Sequence, residues 1–244
     1  MIGRIIFLLV ISVIFNLTTT TATAMAQRAK PQPGKKKPPA AAPVVTPKPA
    51  EPPVAPAPPV PEVIKPPATE LSVEQLARLQ VVIETSLGEI VFKFHPQAAA
   101  NHARQFVWLI ESGYFDGMSI SRIIPNFIIQ SGNSASWGEA NPNQQRRFEI
   151  PKLKAEYDTN LKHERGAVSM ARPNDEPDGG TTHFFICTRK ASSLDNQYTV
   201  FGQVIGGIEI VDMIAAAPIA EGSQDKPRDR IEVKRIYIKA LTSE

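Results

Sequence analysis

Arg122 stands in the run Ile120-Ser121-Arg122-Ile123-Ile124-Pro125-Asn126-Phe127-Ile128-Ile129-Gln130-Ser131-Gly132, where a cation, an aromatic ring and an amide fall within nine positions. If 119–124 and 127–131 are strands, the two-residue period puts Arg122 and Ile124 on one face and Ile123 on the other, and groups Phe127 with Ile129. A guanidinium and a ring are then close neighbours. Strict alternation turns Gln130 away from Phe127, so the amide joins them only through a bulge or a twist. For a generic strand pair the simpler reading is that Arg122 is a surface charge and Phe127 is core.

Other chemistries find little support. His95 and His102 are seven apart and His163 stands alone before Glu164, so no metal-ligand spacing emerges, and no metal or cofactor is expected. Serines are plentiful, but no nucleophile elbow surrounds one. Gly179-Gly180 and Gly206-Gly207 read as turns, because the strand-loop-helix setting of a phosphate loop is missing. The single cysteine, Cys187, follows Phe184-Phe185-Ile186 and reads as a small buried hydrophobe.

The elements that must position Arg122 begin near Leu71. Ser72 and Gln75 have capping-box spacing ahead of a short helix carrying Val73, Leu76 and Leu79. Residues 81–85 and 90–94 are β-rich and flank Ser86-Leu87-Gly88-Glu89, which predicts a hairpin. Pro96 opens a helix with Ala99, Ala103, Phe106, Val107 and Ile110 on one face, and Gly113 ends it. Short β-type runs follow at 119–124, 127–131, 167–170, 183–188, 199–204 and 231–238, with a second helix over 208–215, and this spacing predicts an antiparallel barrel. The polar stretch 133–165 is expected to be an ordered surface loop or a lip over a site.

The first 70 residues read differently. Arg4, the apolar stretch Ile5 to Leu17 and small residues up to Ala26 form a secretory signal peptide over 1–26, too short to span a bilayer. Residues 27–70 form a disordered Pro/Ala/Lys-rich linker. Fifteen of the 23 prolines lie there, and as polyproline II it reaches roughly 130 Å. Linker prolines read first as a spacer, with a docking site for a polyproline reader as the alternative. The net charge of +3 resides in this tail, since residues 71–244 carry nineteen Lys/Arg against twenty-one Asp/Glu. No nucleic-acid partner is therefore expected. Lys35-Lys36-Lys37 reads as a solvated run, with contact to an anionic envelope surface as the sharper alternative. The expected location is periplasmic, with extracellular or surface-associated placement as the alternative.

The run around Arg122 resembles the signature of cyclophilins, usually Phe-His-Arg, then Ile-Ile-Pro-Gly-Phe, then a glutamine. The likeness continues through Gly166-Ala167-Val168-Ser169-Met170-Ala171-Arg172, Thr182-His183-Phe184-Phe185-Ile186-Cys187-Thr188, and Leu194-Asp195-Asn196-Gln197-Tyr198-Thr199-Val200-Phe201-Gly202. Four ordered blocks across roughly 80–240 are far more specific than one motif. The resemblance implies a mainly β fold, a closed antiparallel eight-stranded barrel with two covering helices over 71–244. It implies a peptidyl-prolyl cis/trans isomerase that acts on proline-containing polypeptides and assists their folding, and with the signal peptide this is expected to be a bacterial, exported monomer. A tethered proline-peptide binding module with little turnover is the alternative.

By the same resemblance Arg122 is the catalytic arginine, and Phe127 and Gln130 are pocket residues. Ala171 and Arg172 lie along the substrate backbone, and Phe185 and Leu194 hold the proline ring. His183 stands where most members have glutamine and Tyr198 where many have histidine. Ser193 replaces a tryptophan that in some members contacts cyclosporin, which implies weak cyclosporin binding. Ser121 replaces the usual histidine beside the arginine.

Overall fold

In the computed structural model, residues 61–67 and 70–240 are described. The signal peptide and the linker up to residue 60 lie outside them. In chain order the elements are β1 (Val63–Ile64), α1 (Val73–Ala77), β2 (Leu79–Thr85), β3 (Gly88–Phe94), α2 (Ala100–Glu111), β4 (Met118–Ser119), β5 (Arg122–Ile124), β6 (Ile128–Ser131), β7 (Arg147–Phe148), β8 (Ala167–Met170), β9 (Phe184–Cys187), β10 (Val200–Gly206), α3 (Ile208–Ala215) and β11 (Glu232–Ala240).

The expected capping box starts α1: the Gln75 amide N–H donates to Ser72 Oγ at 3.2 Å, and the Ser72 N–H donates to Gln75 Oε1 at 2.7 Å. β2 and β3 form the expected hairpin, with Thr85 paired to Gly88 across a two-residue turn. α2 begins later than Pro96 suggested, because residues 96–98 form a turn first. Its N-terminus has no side-chain cap from Ala99. Glu156 from the 133–165 lip takes that place, its carboxylate accepting from the N–H groups of Asn101 (3.2 Å) and His102 (3.0 Å), where exposed donors and the helix dipole favour an anion.

The main sheet is antiparallel and curled, in the order β4-β11-β2-β3-β10-β8-β9-β6-β5. It has nine strands where eight were expected, because the run 119–124 is divided. β4 pairs with β11 at one end of the sheet and β5 with β6 at the other. Ile120 and Ser121 carry the chain between the two ends, and β4 and β5 share no ladder with each other. Backbone bonds run through the break, from the Ile120 N–H to the Ile231 carbonyl and from the Ser121 N–H to the Gln130 carbonyl, both at 2.9 Å, so the sheet curls until its two ends meet at this short stretch.

Strands β8 and β9 are buried along their whole length, so alternation sends their side chains into two cores. Phe184 and Ile186 join the main core beneath α2, where Phe106 packs against Phe115 at 4.8 Å and Phe184 at 5.2 Å between ring centres. Phe185 and Cys187 point to the opposite face, into a smaller cluster with Ile128, Ala167, Ala191 and Val200. Phe127, Leu194 and Tyr198 pack against that second cluster.

The 133–165 stretch is ordered by short 3-10 turns, by a bridge from Leu153 to Gly180, and by β7, which pairs in parallel with β1. β1 falls inside the segment read as linker, so the last part of that segment is docked on the domain. The Glu62 carboxylate lies 3.2 Å from Arg146, and Lys65 lies 3.2 Å from Glu149.

Candidate functional site

The nine residues singled out in the sequence line one cavity of about 610 Å³: Arg122, Phe127, Gln130, Ala171, Arg172, His183, Phe185, Leu194 and Tyr198. Register places three of them in a row. Arg122 is the partner of Gln130 across β5 and β6, and Gln130 is the partner of Phe185 across β6 and β9, so all three rise from one face of the sheet.

Phe127 joins them without a bulge because it precedes β6, in the turn after Pro125. Asn126 takes the left-handed conformation at φ 58° where the resembled signature carries glycine, a conformation asparagine tolerates better than most residues. Strand alternation therefore does not govern Phe127. The surface-charge alternative for Arg122 fails in part: its side chain is 42% exposed, but it faces a cavity whose walls are the second apolar cluster.

One side of the cavity is braced by Arg172. Its Nε and Nη2 donate to the Gln197 carbonyl at 3.1 and 3.0 Å, and its Nη1 donates to the carbonyls of Pro173 (2.7 Å) and Asn174 (3.0 Å). The same guanidinium sits 4.7 Å from the centre of the Tyr198 ring, a cation–π contact. Tyr198 in turn meets Phe185 edge to face at 5.7 Å. Arg172 thus ties the 172–174 loop to the wall carrying Tyr198, a side-chain role beyond the backbone position that the resemblance implied.

Behind Phe185 lies His163, stacked on the ring at 5.9 Å. Its Nδ1 is 3.0 Å from Asp195 Oδ1 and its Nε2 is 3.1 Å from Ser169 Oγ. Burial pushes this imidazole below its usual pKa against the opposing pull of Asp195. Nδ1–H donates to the carboxylate, and the serine hydroxyl, whose oxygen faces Nε2, donates to the Thr199 carbonyl at 2.8 Å. The Asp195 carboxyl is held below its usual range, first by the His163 backbone N–H that it accepts. Ser169, His163 and Asp195 have the order of a hydrolytic triad, but Ser169 is 0% exposed and lies under the groove floor, so its hydroxyl meets no substrate. The satisfied-histidine reading of His163 holds, and the partners are ones that spacing alone did not indicate.

His183 lines the cavity, with its pKa also pushed down by burial, so the ring is neutral at neutral pH. Lys152 and Glu176 close the rim as a 2.6 Å ion pair. Cys187 is buried and desolvation pushes its thiol up to about 12, which removes thiolate chemistry at neutral pH. Among the described residues no cluster of three or more potential metal ligands occurs, and no helix is long and apolar enough to cross a membrane. Asp225, whose carboxylate meets Arg122 Nε at 2.7 Å, was not legible in the sequence: 103 residues separate the two.

The curled antiparallel sheet with this groove on one face is a cyclophilin-like fold. Residues 80–238 match the family model described as cyclophilin type peptidyl-prolyl cis-trans isomerase. A peptidyl-prolyl cis-trans isomerase of Acinetobacter baylyi is 30% identical over 180 residues, covering 71% of this chain and 92% of that protein. Peptidyl-prolyl cis-trans isomerase A of Dickeya dadantii is 34% identical over 140 residues, covering 55% and 70%. Among solved structures, a cyclophilin type isomerase of Cryptosporidium parvum, crystallised in the presence of the dipeptide Ala-Pro, superposes with a TM-score of 0.57 at 28% identity, covering 66% of this chain and 99% of that one. The chain belongs to the cyclophilin-type peptidyl-prolyl cis-trans isomerase family and is an enzyme of that class.

Proposed function

We propose that this groove binds proline-containing polypeptides and isomerises the X-Pro bond by stabilising its twisted state from Arg122, without a covalent intermediate. What supports this reading most is the convergence of Arg122, Gln130 and an apolar clasp of Phe127, Phe185 and Leu194 on one cavity. The crystallisation of the Cryptosporidium relative with Ala-Pro agrees with a proline-bearing ligand.

Rotation about an X-Pro bond is slow because it must break amide resonance, at a barrier of ~18–20 kcal/mol. At mid-rotation the prolyl nitrogen is pyramidal and carries a lone pair that it lacks when planar. A donor aimed at that nitrogen is therefore worth more in the transition state than in the ground state. Arg122 is that donor. The clasp takes the ring out of water and fixes one side of the bond, while Gln130 and neutral His183 orient the other. Five decades of acceleration correspond to ~7 kcal/mol, which a preorganised charged donor, desolvation and orientation supply between them.

The protein's role, in this proposal, is to assist the folding of exported polypeptides from the periplasm, carried on a proline-rich tether of residues 27–70 behind a signal peptide of 1–26. The experiment measures affinity and cis/trans exchange on one X-Pro peptide for the wild type and Arg122→Ala. Fast exchange that the variant lacks supports the proposal. Affinity without exchange in the wild type refutes it in favour of a binding module.

A further inference from the structure

We infer that Asp225 is a positioning residue for Arg122, aiming its guanidinium into the groove through the loop 219–227; this rests on the proposed role of Arg122 at the twisted amide. Two contacts carry the inference. The Asp225 carboxylate accepts from Arg122 Nε–H at 2.7 Å, and the Asp225 carbonyl accepts from the Ile123 backbone N–H, also at 2.7 Å. One residue thus grips two successive residues of β5, one by its side chain and one by its main chain.

The loop that presents Asp225 is itself braced. Ile219 and Pro227 form a bridge at its base, the Ala220 N–H donates to the Lys226 carbonyl at 2.9 Å, and the Ser223 N–H donates to the Ala220 carbonyl at 3.0 Å. The Ser223 hydroxyl oxygen accepts from the N–H groups of Asp225 (3.3 Å) and Lys226 (3.0 Å). Asp225 is therefore a fixed anchor rather than a mobile surface acid.

A guanidinium offers five N–H donors in one plane. Asp225 takes the one on Nε, and among the described residues no other hydrogen bond from Arg122 is formed, so the four donors on Nη1 and Nη2 stay available toward the cavity. Holding Nε sets the plane of the whole fork. A side chain 42% exposed and without that hold spreads over rotamers, most of which aim the terminal nitrogens elsewhere. The carboxylate also lowers the net charge near the donor, an opposing effect. Orientation is expected to win, because both partners are about two-fifths exposed and water screens the charge while it does not restore geometry.

The test compares Asp225→Ala, Asp225→Asn and each combined with Arg122→Ala, reading kcat and KM on an X-Pro peptide together with the Arg122 Nε–H resonance by NMR. Asp225→Ala is expected to lower kcat about tenfold with KM little changed and to broaden the Nε–H signal. Asp225→Asn keeps an acceptor oxygen and is expected to recover kcat to within about threefold and to retain the signal. In the Arg122→Ala background Asp225→Ala is expected to change nothing further. Wild-type or higher kcat in Asp225→Ala, a change confined to KM, or a loss that adds to that of Arg122→Ala would each overturn the inference. The Arg122 reading fails separately, if Arg122→Ala itself turns over normally. The main-chain grip on Ile123 remains in every variant, and an unfolding midpoint for each keeps a folding defect apart from a lost aim.

Discussion

Replacing Arg122 with alanine separates chemistry from stability, because the side chain is built into the groove but not into either core. Among the described residues its ion pair is with Asp225, and the two partners are 42% and 39% exposed. Pairs of that kind are worth ~0–1 kcal/mol, so the domain is expected to lose no more than about 1 kcal/mol of stability, and Asp225 remains solvated rather than stranded. The loss of activity is expected to be far larger. A single preorganised donor to charge that develops in a transition state costs about 10²–10³ in rate when removed, or ~3–4 kcal/mol. Peptide affinity is expected to fall less than tenfold, since Phe127, Phe185 and Leu194 still enclose the proline ring. Exchange spectroscopy on an X-Pro peptide gives the rate, calorimetry the affinity, and a denaturant titration the stability. Exchange within a factor of two of the wild type in a folded Arg122→Ala protein would refute the reasoning, as would losses of rate and affinity in equal proportion.

Further expectations rest on the walls of the groove. Arg172→Ala frees the 172–174 loop from Gln197 and removes the cation over Tyr198, so KM for an X-Pro peptide is expected to rise about three- to tenfold with kcat within about threefold; an unchanged KM would mean the brace is idle. Ser193 is exposed in the turn that carries Leu194, so Ser193→Trp adds aromatic surface at the rim and is expected to raise cyclosporin affinity by about tenfold without changing turnover more than threefold, measurable by calorimetry. Stability is expected to decline as pH falls from about 7 toward 5. Burial lowers the pKa values of His95, His163 and His183 in the fold, so the unfolded chain takes up protons first, near its ordinary histidine pKa, and each such proton contributes up to ~1.4 kcal/mol per pH unit. Urea titrations at several pH values check this, and a midpoint that holds or rises on acidification would contradict it.

The groove residues were named from the resemblance of four separated sequence blocks, and local periodicity reached only the strand around Arg122. Two-residue alternation put Arg122 and Ile124 on one face and Ile123 on the other, and the structure places Ile123 in the main core with Ile124 against the second cluster. Helices α1 and α3 and the hairpin of β2 and β3 followed from capping, periodicity and turn chemistry, all of which act over a few residues. Alternation misjudged Phe127 only because the strand begins one residue later than expected, after a left-handed Asn126.

Sequence alone determined that residues from Leu71 onward carry a β-rich core with two covering helices and a set of residues resembling an isomerase groove. Only the tertiary structure decided that the run 119–124 pairs with β11 through its first half and with β6 through its second, and that β1 docks on β7. It alone brought Asp225 to Arg122 across 103 residues and placed His163 between Asp195 and Ser169 beneath Phe185. The physical reason is range. Backbone propensities and side-chain periodicity are properties of short stretches, whereas sheet closure and the partners of a charged or buried polar group depend on which distant segments the collapse of the core brings together.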